Sequence, residues 1–335
     1  MKFFFLCCLF FPFNIFAQKN LIENIVFEGA GIRGIAYAGA LETMEQQGLL
    51  QNAKRVGGTS AGAITALLVA LNYSSNEIAD IINSTSFKKF NDGRFILFGG
   101  LNRLRKWYGW YRGKRFESWL SQLIEAKTGD PDISFAKLQQ TSAKLLYVTG
   151  TSLSKQKLIV FSRENYPNMK VKDAVRISMS IPLYFEAMFI DSTGKIMSHP
   201  KNTKGLDVML DGGFVANFPI KIFDSTKYFT NTDSNFFKLN PHTIGFRIDS
   251  EAQIKNDSAS NELVSMPVTN FKEYLSAFYT LILENLNRQN LVEGDWHRTI
   301  SISDGAIGPR IRKLKKEEVA LLIENGRIAT NAYFK

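Results

Sequence analysis

One pattern constrains this chain more than any other: three short apolar runs, each ended by glycine. They are Asn24–Glu28 before Gly29, a run around Val56 before Gly57 and Gly58, and Val208–Leu210 before Asp211-Gly212-Gly213. Runs this short and this apolar read as buried strands. Between them lie helical patterns: Ile35–Gln47 stopped by Gly48, Ala61 to about Leu71, and Val171–Ser180 stopped before Pro182. Strands alternating with helices predict a three-layer α/β/α fold around a central, mostly parallel sheet. Ligands bind such sheets at the carboxyl ends of the strands, so the three glycine-rich ends are expected to converge on one edge.

The remaining elements fit the same architecture. Lys144–Gly150, Lys157–Ser162, His242–Ile248 and Thr299–Ser303 read as further strands. Glu77–Asn83, Phe116–Lys127, Phe271–Leu291 and Lys315–Phe334 read as helices, and residues 87–115, 192–206 and 250–267 as irregular or looped. No stretch has the composition of a linker, so residues 18–335 are expected to form one domain.

The junction Gly58-Thr59-Ser60-Ala61-Gly62 carries the strongest chemical signal. A serine on a sharp strand-to-helix turn presents its hydroxyl at the top of a sheet, and Gly58 and Gly62 make room for the turn and for substrate. The dipole of the helix starting at Ala61 favours negative charge beside it. Ser60 is therefore the candidate nucleophile. The earlier junction, Gly29-Ala30-Gly31-Ile32-Arg33-Gly34, turns backbone N–H groups towards a common anion. Read literally it is a dinucleotide fingerprint, but the acidic residue expected at the end of the next strand is missing; Lys54 and Arg55 flank that strand. An oxyanion hole serving Ser60 is the better account. In the third junction Asp211 is the available base, with Gly212 and Gly213 forming its turn.

These three blocks, in this order, resemble the patatin-like phospholipases, of which this chain looks like a bacterial, exported member. The glycine-rich oxyanion motif of that family matches residues 29–34, its GxSxG matches 58–62, and its Asp-Gly-Gly matches 211–213. Arg176–Glu186 resembles the helix-then-proline block of the family, and Ala30 stands where many members have glycine. The resemblance implies a lipid acyl hydrolase with a Ser60–Asp211 dyad, acting on phospholipid or other lipid esters without a cofactor or metal. Two alternatives share the serine motif or the fold. An α/β-hydrolase triad would draw a histidine from His199, His242 or His297, but one strand and one helix precede Ser60 after residue 17, and no HGGG-like loop does. A catalytically silent lipid-binding module would lack a motif residue, and none is missing.

Targeting and surface charge complete the reading. Lys2 precedes an apolar run from Phe3 to Phe16, interrupted at Asn14, and Ala17 precedes polar residues. The run is short of the roughly 20 residues needed to span a bilayer, so a signal peptide over residues 1–17, cleaved after Ala17, is expected, with export to the periplasm or beyond. Both cysteines, Cys7 and Cys8, lie within it, which excludes a disulfide framework or thiolate metal site in residues 18–335. The formal charge of +10, outside the cytoplasm, points to anionic lipid rather than nucleic acid. Arg94 to Arg115 holds seven basic residues, no acid and several aromatic rings. Arg103, Arg105, Lys106, Trp107 and Trp110 are therefore candidate contacts with a bilayer headgroup region.

Overall fold

The computed structural model describes residues 22–93, 96–229, 239–257, 259–260, 262–288, 290–308 and 312–335. The signal peptide expected over residues 1–17 lies outside them. The strands are β1 (Asn24–Phe27), β2 (Arg55–Gly58), β3 (Gly109–Tyr111), β4 (Leu145–Ser152), β5 (Lys157–Phe161), β6 (Leu183–Phe185), β7 (Met188–Ile190), β8 (Asp207–Asp211), β9 (Thr243–Asp249) and β10 (Thr299–Ser303). Eight of them form one sheet in the order β10-β9-β1-β2-β4-β8-β7, with β5 also paired to β4. The five strands from β10 to β4 are parallel, whereas β5, β8 and β7 are added antiparallel.

Alternation along β1 sorts its side chains between two cores. Ile25 and Phe27 enter the large helical core, and Val26 faces the opposite side with Tyr147, Phe223 and Tyr228. The large core is built on helices α1 (Ala36–Gln46), α2 (Ala61–Ala70), α4 (Val171–Ser178) and α6 (Lys316–Phe334). Every residue of α2 is buried, the expected environment of a helix apolar on all sides. The opposite layer is thin, made of short 3-10 turns over Ile220–Phe223 and Thr226–Tyr228 and the short helix Glu293–His297. Among the described residues no helix is long and apolar enough to cross a membrane.

The glycine-rich strand ends converge, but by different routes. Phe27 is in register with Gly58, and Gly58 with Val148, so β1 and β2 end side by side. Strand β8 runs down against β4 and stops with Asp211 opposite Gly150, arriving at the same edge from above. A parallel strand would have carried an aspartate at its carboxyl end to that edge from below.

The aromatic–basic stretch is not irregular. It contains helix α3 (Ile96–Trp107) and strand β3, which pairs with β6; Arg94 and Phe95 lie outside the described residues. Arg103 corrects the expectation of a surface contact: it is buried, its Nε donates to Trp110 O at 2.8 Å, and it lies 3.9 Å from Glu186. A guanidinium bonded to a carbonyl and set near a carboxylate inside the fold is a packing element. Trp107 stacks on His199 with ring centroids 4.3 Å apart, and the Trp110 ring covers Gly100, where an added Cβ would come within 2.5 Å of it. Arg105 and Lys106 are exposed. Helix α5 (Phe271–Arg288) lies where a helix is expected, and the helix Glu251–Asp257 occupies part of the expected loop 250–267.

Candidate active site

Ser60 sits between β2 and α2 with φ 54° and ψ −120°, a backbone region sparsely used by residues with a side chain. The turn is held from both sides. An added Cβ on Gly58 would stand 2.4 Å from the Gly62 carbonyl, and one on Gly62 would stand 2.3 Å from Phe27 O. Both positions demand glycine because backbone occupies the space. The Ser60 N–H donates to Ser178 Oγ at 2.9 Å, and Ser60 Oγ lies 3.3 Å from Met179 Sδ. Ser178 ends α4 and Met179 follows it, so the helix before Pro182 buttresses the turn.

Asp211 is buried at the end of β8. Its own N–H donates to Ser180 O at 3.0 Å, and Gly213 N–H donates to its Oδ1 at 2.8 Å. Burial pushes the carboxyl pKa up to about 7, while hydrogen bonds from Gly213 and the Ser60 side chain pull it down. The serine side chain is near enough to the aspartate to favour its ionised form, and the acid is poised near neutrality.

The loop after β1 meets this pair from the other side. Gly29 N–H donates to Asn217 O and Gly29 O accepts from Asn217 Nδ2, both at 3.0 Å. A Cβ on Gly29 would lie 2.3 Å from Asn217 Oδ1 and 3.3 Å from Ser60 Cβ. The six residues of this loop are not equivalent, which narrows the expectation drawn from sequence. The amides of Gly29 and Arg33 are bonded to Asn217 O and Ala30 O, and Ile32 and Gly34 are buried away from the cavity. Gly34 allows the loop to press on Ala61, whose Cβ would lie 3.3 Å from one added there. Ala30 and Gly31 do line the cavity, and among the described residues their N–H groups have no acceptor. The Arg33 side chain also reaches the cavity, with Nε 3.3 Å from Ala30 O and Nη1 3.4 Å from Asp304 Oδ2.

Beneath the loop lies a buried carboxyl that no motif announces. Glu28 Oε2 accepts from Ile248 N–H at 3.1 Å, and Oε1 lies 3.5 Å from Asn217 Nδ2. Burial and the neighbouring Glu284 raise its pKa to about 8, with Arg247 opposing them. Arg247 and Arg288 are in turn paired with Asp249 and Asp257, and both guanidinium groups stand over the Trp296 ring.

Ser60, Asp211, Gly29, Ala30, Gly31, Arg33 and Gly213 all line one cavity of about 930 Å³. Gly58, Gly62 and Gly212 stand behind it; a Cβ on Gly212 would lie 2.4 Å from Thr149 Oγ1. His199, His242 and His297 do not line it, nor do Arg103, Arg105, Lys106, Trp107 and Trp110. Sequence reasoning missed Ser178, Asn217 and Glu28 as site residues. Ser178 lay inside the Arg176–Glu186 block already singled out, whereas Asn217 and Glu28 carry no motif of their own.

The comparisons with known proteins agree with this geometry. The patatin-like phospholipase family matches residues 25–224, more than half of the chain. An uncharacterized protein, YqhO of Bacillus subtilis, is 33% identical over 214 residues, covering 60% of this chain and 67% of that protein. The probable lipid hydrolase 463L of invertebrate iridescent virus 6 is 22% identical over 217 residues, 63% of this chain and 66% of that one. The matched stretch thus spans about two thirds of the length of these relatives. Among solved structures, VipD from Legionella pneumophila superposes with a TM-score of 0.57 at 16% identity, over 94% of this chain and 67% of VipD, a likeness of fold. The chain belongs to the patatin-like phospholipase family, and its chemistry is that of a lipid ester hydrolase.

Proposed function

We propose that the protein cleaves carboxylic esters of phospholipids or related lipids through Ser60 and Asp211. The observation that carries this reading is a single cavity lined by a serine on a strained turn and a buried carboxyl whose pKa is near 7. Ser60 Oγ attacks the ester carbonyl carbon and its proton passes to Asp211. The oxyanion is received by the N–H groups of Ala30 and Gly31, reinforced by the dipole of α2. Collapse of the tetrahedral intermediate expels the alcohol, which takes the proton from Asp211 and leaves an acyl ester on Ser60. Water then gives a proton to Asp211 and attacks the acyl carbon, and as the fatty acid leaves, Asp211 returns that proton to Ser60 Oγ.

An ordinary aspartate, with a pKa near 3.9, is a weak base for a serine hydroxyl. A carboxyl raised by burial to about 7 is matched to neutral pH, which is what a dyad without imidazole requires. The test is hydrolysis of a chromogenic acyl ester and of a phospholipid by the purified 18–335 chain. The wild type releases product from both and Ser60→Ala from neither; equal release by the two would overturn the assignment.

The setting belongs to the same proposal. A cleaved segment 1–17, residues 18–335 as the mature domain, and export from a bacterial cell are supported by the basic residue, the short apolar run and Ala17. Amino-terminal sequencing of the protein recovered outside the cytoplasm checks this; a chain still starting at Met1 would overturn it. Contact with an anionic bilayer is supported, in the Arg94–Arg115 stretch, by the exposed pair Arg105 and Lys106.

A further inference from the structure

The cavity over Ser60 has two unlike sides. One is the polar floor just described. The other is contributed by helix α5 and the segment before it, which lie beyond the stretch matched by the family. Leu263, Met266, Val268, Tyr274, Phe278 and Leu281 line that side. Phe278 and Leu281 belong to the cavity wall yet are each 52% exposed. The rings of Tyr274 and Phe278, one turn apart, stack nearly parallel with centroids 6.3 Å from each other. Apolar wall residues with half their surface uncovered are only partly packed among the described residues, and an apolar ligand would cover the remainder.

What occupies the wall follows from the floor. An ester whose carbonyl carbon sits at Ser60 and whose oxygen points at Ala30 and Gly31 has two arms. Arg33, Asp304, Asp249 and, at the carboxyl end of α5, Glu284 line the polar part of the cavity, and Tyr274, Phe278 and Leu281 of α5 line the apolar side. An alkyl arm is disfavoured in the first, because it would strip water from these charged groups and offer them no hydrogen bond in return. We propose that α5 and residues 263–268 form the subsite for the acyl chain, with Phe278 and Leu281 setting the preference for long chains. This rests on the ester-hydrolase reading above. The helix is placed for the role by its carboxyl end, where buried Arg288 pairs with Asp249 and Asp257 beside the floor. Its wall positions are free to meet a ligand because the anchor lies elsewhere.

The experiment compares p-nitrophenyl butyrate with p-nitrophenyl palmitate, using the 18–335 chain and its Phe278→Gln/Leu281→Gln variant. Each methylene that leaves water for an apolar wall contributes about fourfold, so losing two wall residues costs the long chain far more than the short one. The expected result is a palmitate-to-butyrate ratio of kcat/KM lowered by tenfold or more, with butyrate turnover and the unfolding midpoint unchanged. Ala277→Trp, which fills the wall without adding a polar group, should shift the ratio the same way and serves if the double variant does not fold. An unchanged ratio, or equal loss of both esters, overturns the proposal. So does a dimer of the wild type that the double variant dissolves without any change in chain-length preference, since a second copy then covers the face. A wild type inert towards both esters overturns the hydrolase reading instead. In that case binding of pyrene-labelled palmitate to Ser60→Ala still decides the subsite: tenfold weakening by the double substitution upholds it, and undiminished binding overturns it.

Discussion

The floor and the roof of the cavity solve opposite problems. On the floor, backbone and buried side chains fix each reacting group. Ser178, Met179 and Gly62 hold Ser60, Gly213 and Ser180 hold Asp211, and Asn217 clamps Gly29 at two atoms. Across the cavity, the roof helix α5 exposes Tyr274, Phe278 and Leu281 and is tied down by ions at its carboxyl end. Chemistry needs reacting atoms held within fractions of an ångström, whereas an alkyl chain needs only apolar surface of the right extent. Rigidity is concentrated where the bond breaks, and accommodation where the chain lies.

The largest effect should come from the floor. Ser60→Ala and Asp211→Asn should each lower kcat roughly 10⁴- to 10⁶-fold, the scale of losing a nucleophile or its base. His199→Ala, His242→Ala and His297→Ala should leave most activity, since none of these histidines lines the cavity. A large loss in kcat from any of the three, in a folded protein, would move the chemistry to a triad.

The roof breaks differently. Arg288→Met removes one cation from the Arg247–Asp249–Asp257–Arg288 cluster and leaves buried carboxylates undercompensated. Urea unfolding should record a loss of about 3–5 kcal/mol. Labelling of Ser60 by a fluorophosphonate in the fraction still folded should survive, because the floor does not use Arg288. Loss of labelling in folded protein would show that floor and roof are one unit.

A third comparison sets activity against stability at one residue. Asp211 must be ionised to take the serine proton, so kcat/KM should rise with pH and level off above about 7. The stability argument has the opposite sign. The folded pKa is raised above the ordinary value of 3.8, so the native state holds the proton more tightly than the unfolded chain. That stabilisation is complete below 3.8 and is lost as pH rises to about 7. At about 1.4 kcal/mol per pH unit, the ionised group costs the fold at most about 4 kcal/mol at pH 8. Asp211→Asn should therefore melt higher than the wild type at pH 8, the difference shrinking towards pH 4, while remaining inactive. Equal melting temperatures at pH 8 would show that the carboxyl is not strained by burial.

The smallest effect concerns the outer surface. Arg105→Gln/Lys106→Gln should weaken binding of the Ser60→Ala protein to anionic vesicles by about 1 kcal/mol per residue, with the difference fading as salt is raised. Arg103→Gln should lower the melting temperature and leave vesicle binding alone, because Arg103 faces Trp110 O and Glu186. Vesicle binding indifferent to the exposed pair would remove this helix from the lipid contact.

The catalytic floor was legible in the sequence to the degree that backbone geometry is written in glycine. Gly58, Gly62 and Gly29 stand where a Cβ would strike backbone or Asn217, and a strand running into such a turn is readable without tertiary information. Ser60, Asp211 and the β1 loop were found for this reason. Within the Arg94–Arg115 stretch, Arg103 was misjudged because composition reports charge but not direction. Arg103 points inward and Arg105, two residues on, points outward, which a helix of 3.6 residues per turn imposes.

By itself, the sequence determined the alternation of strand and helix, the serine turn, and the presence of an acid that follows them in the chain. Only the tertiary structure decided that Asp211 descends to the site on an antiparallel strand, and that Ala30 and Gly31 are the expected loop residues that line the cavity with amides unbonded among the described residues. It also decided that Glu28, Asn217 and helix α5 belong beside Ser60. Local conformation depends on neighbours a few residues away, and short motifs record it. A carboxyl pKa near 7 or an apolar wall over a serine depends on what distant segments bring together and what they exclude from water. Residues that act only through such encounters, as Asn217 does from 188 positions away, leave no local pattern to read.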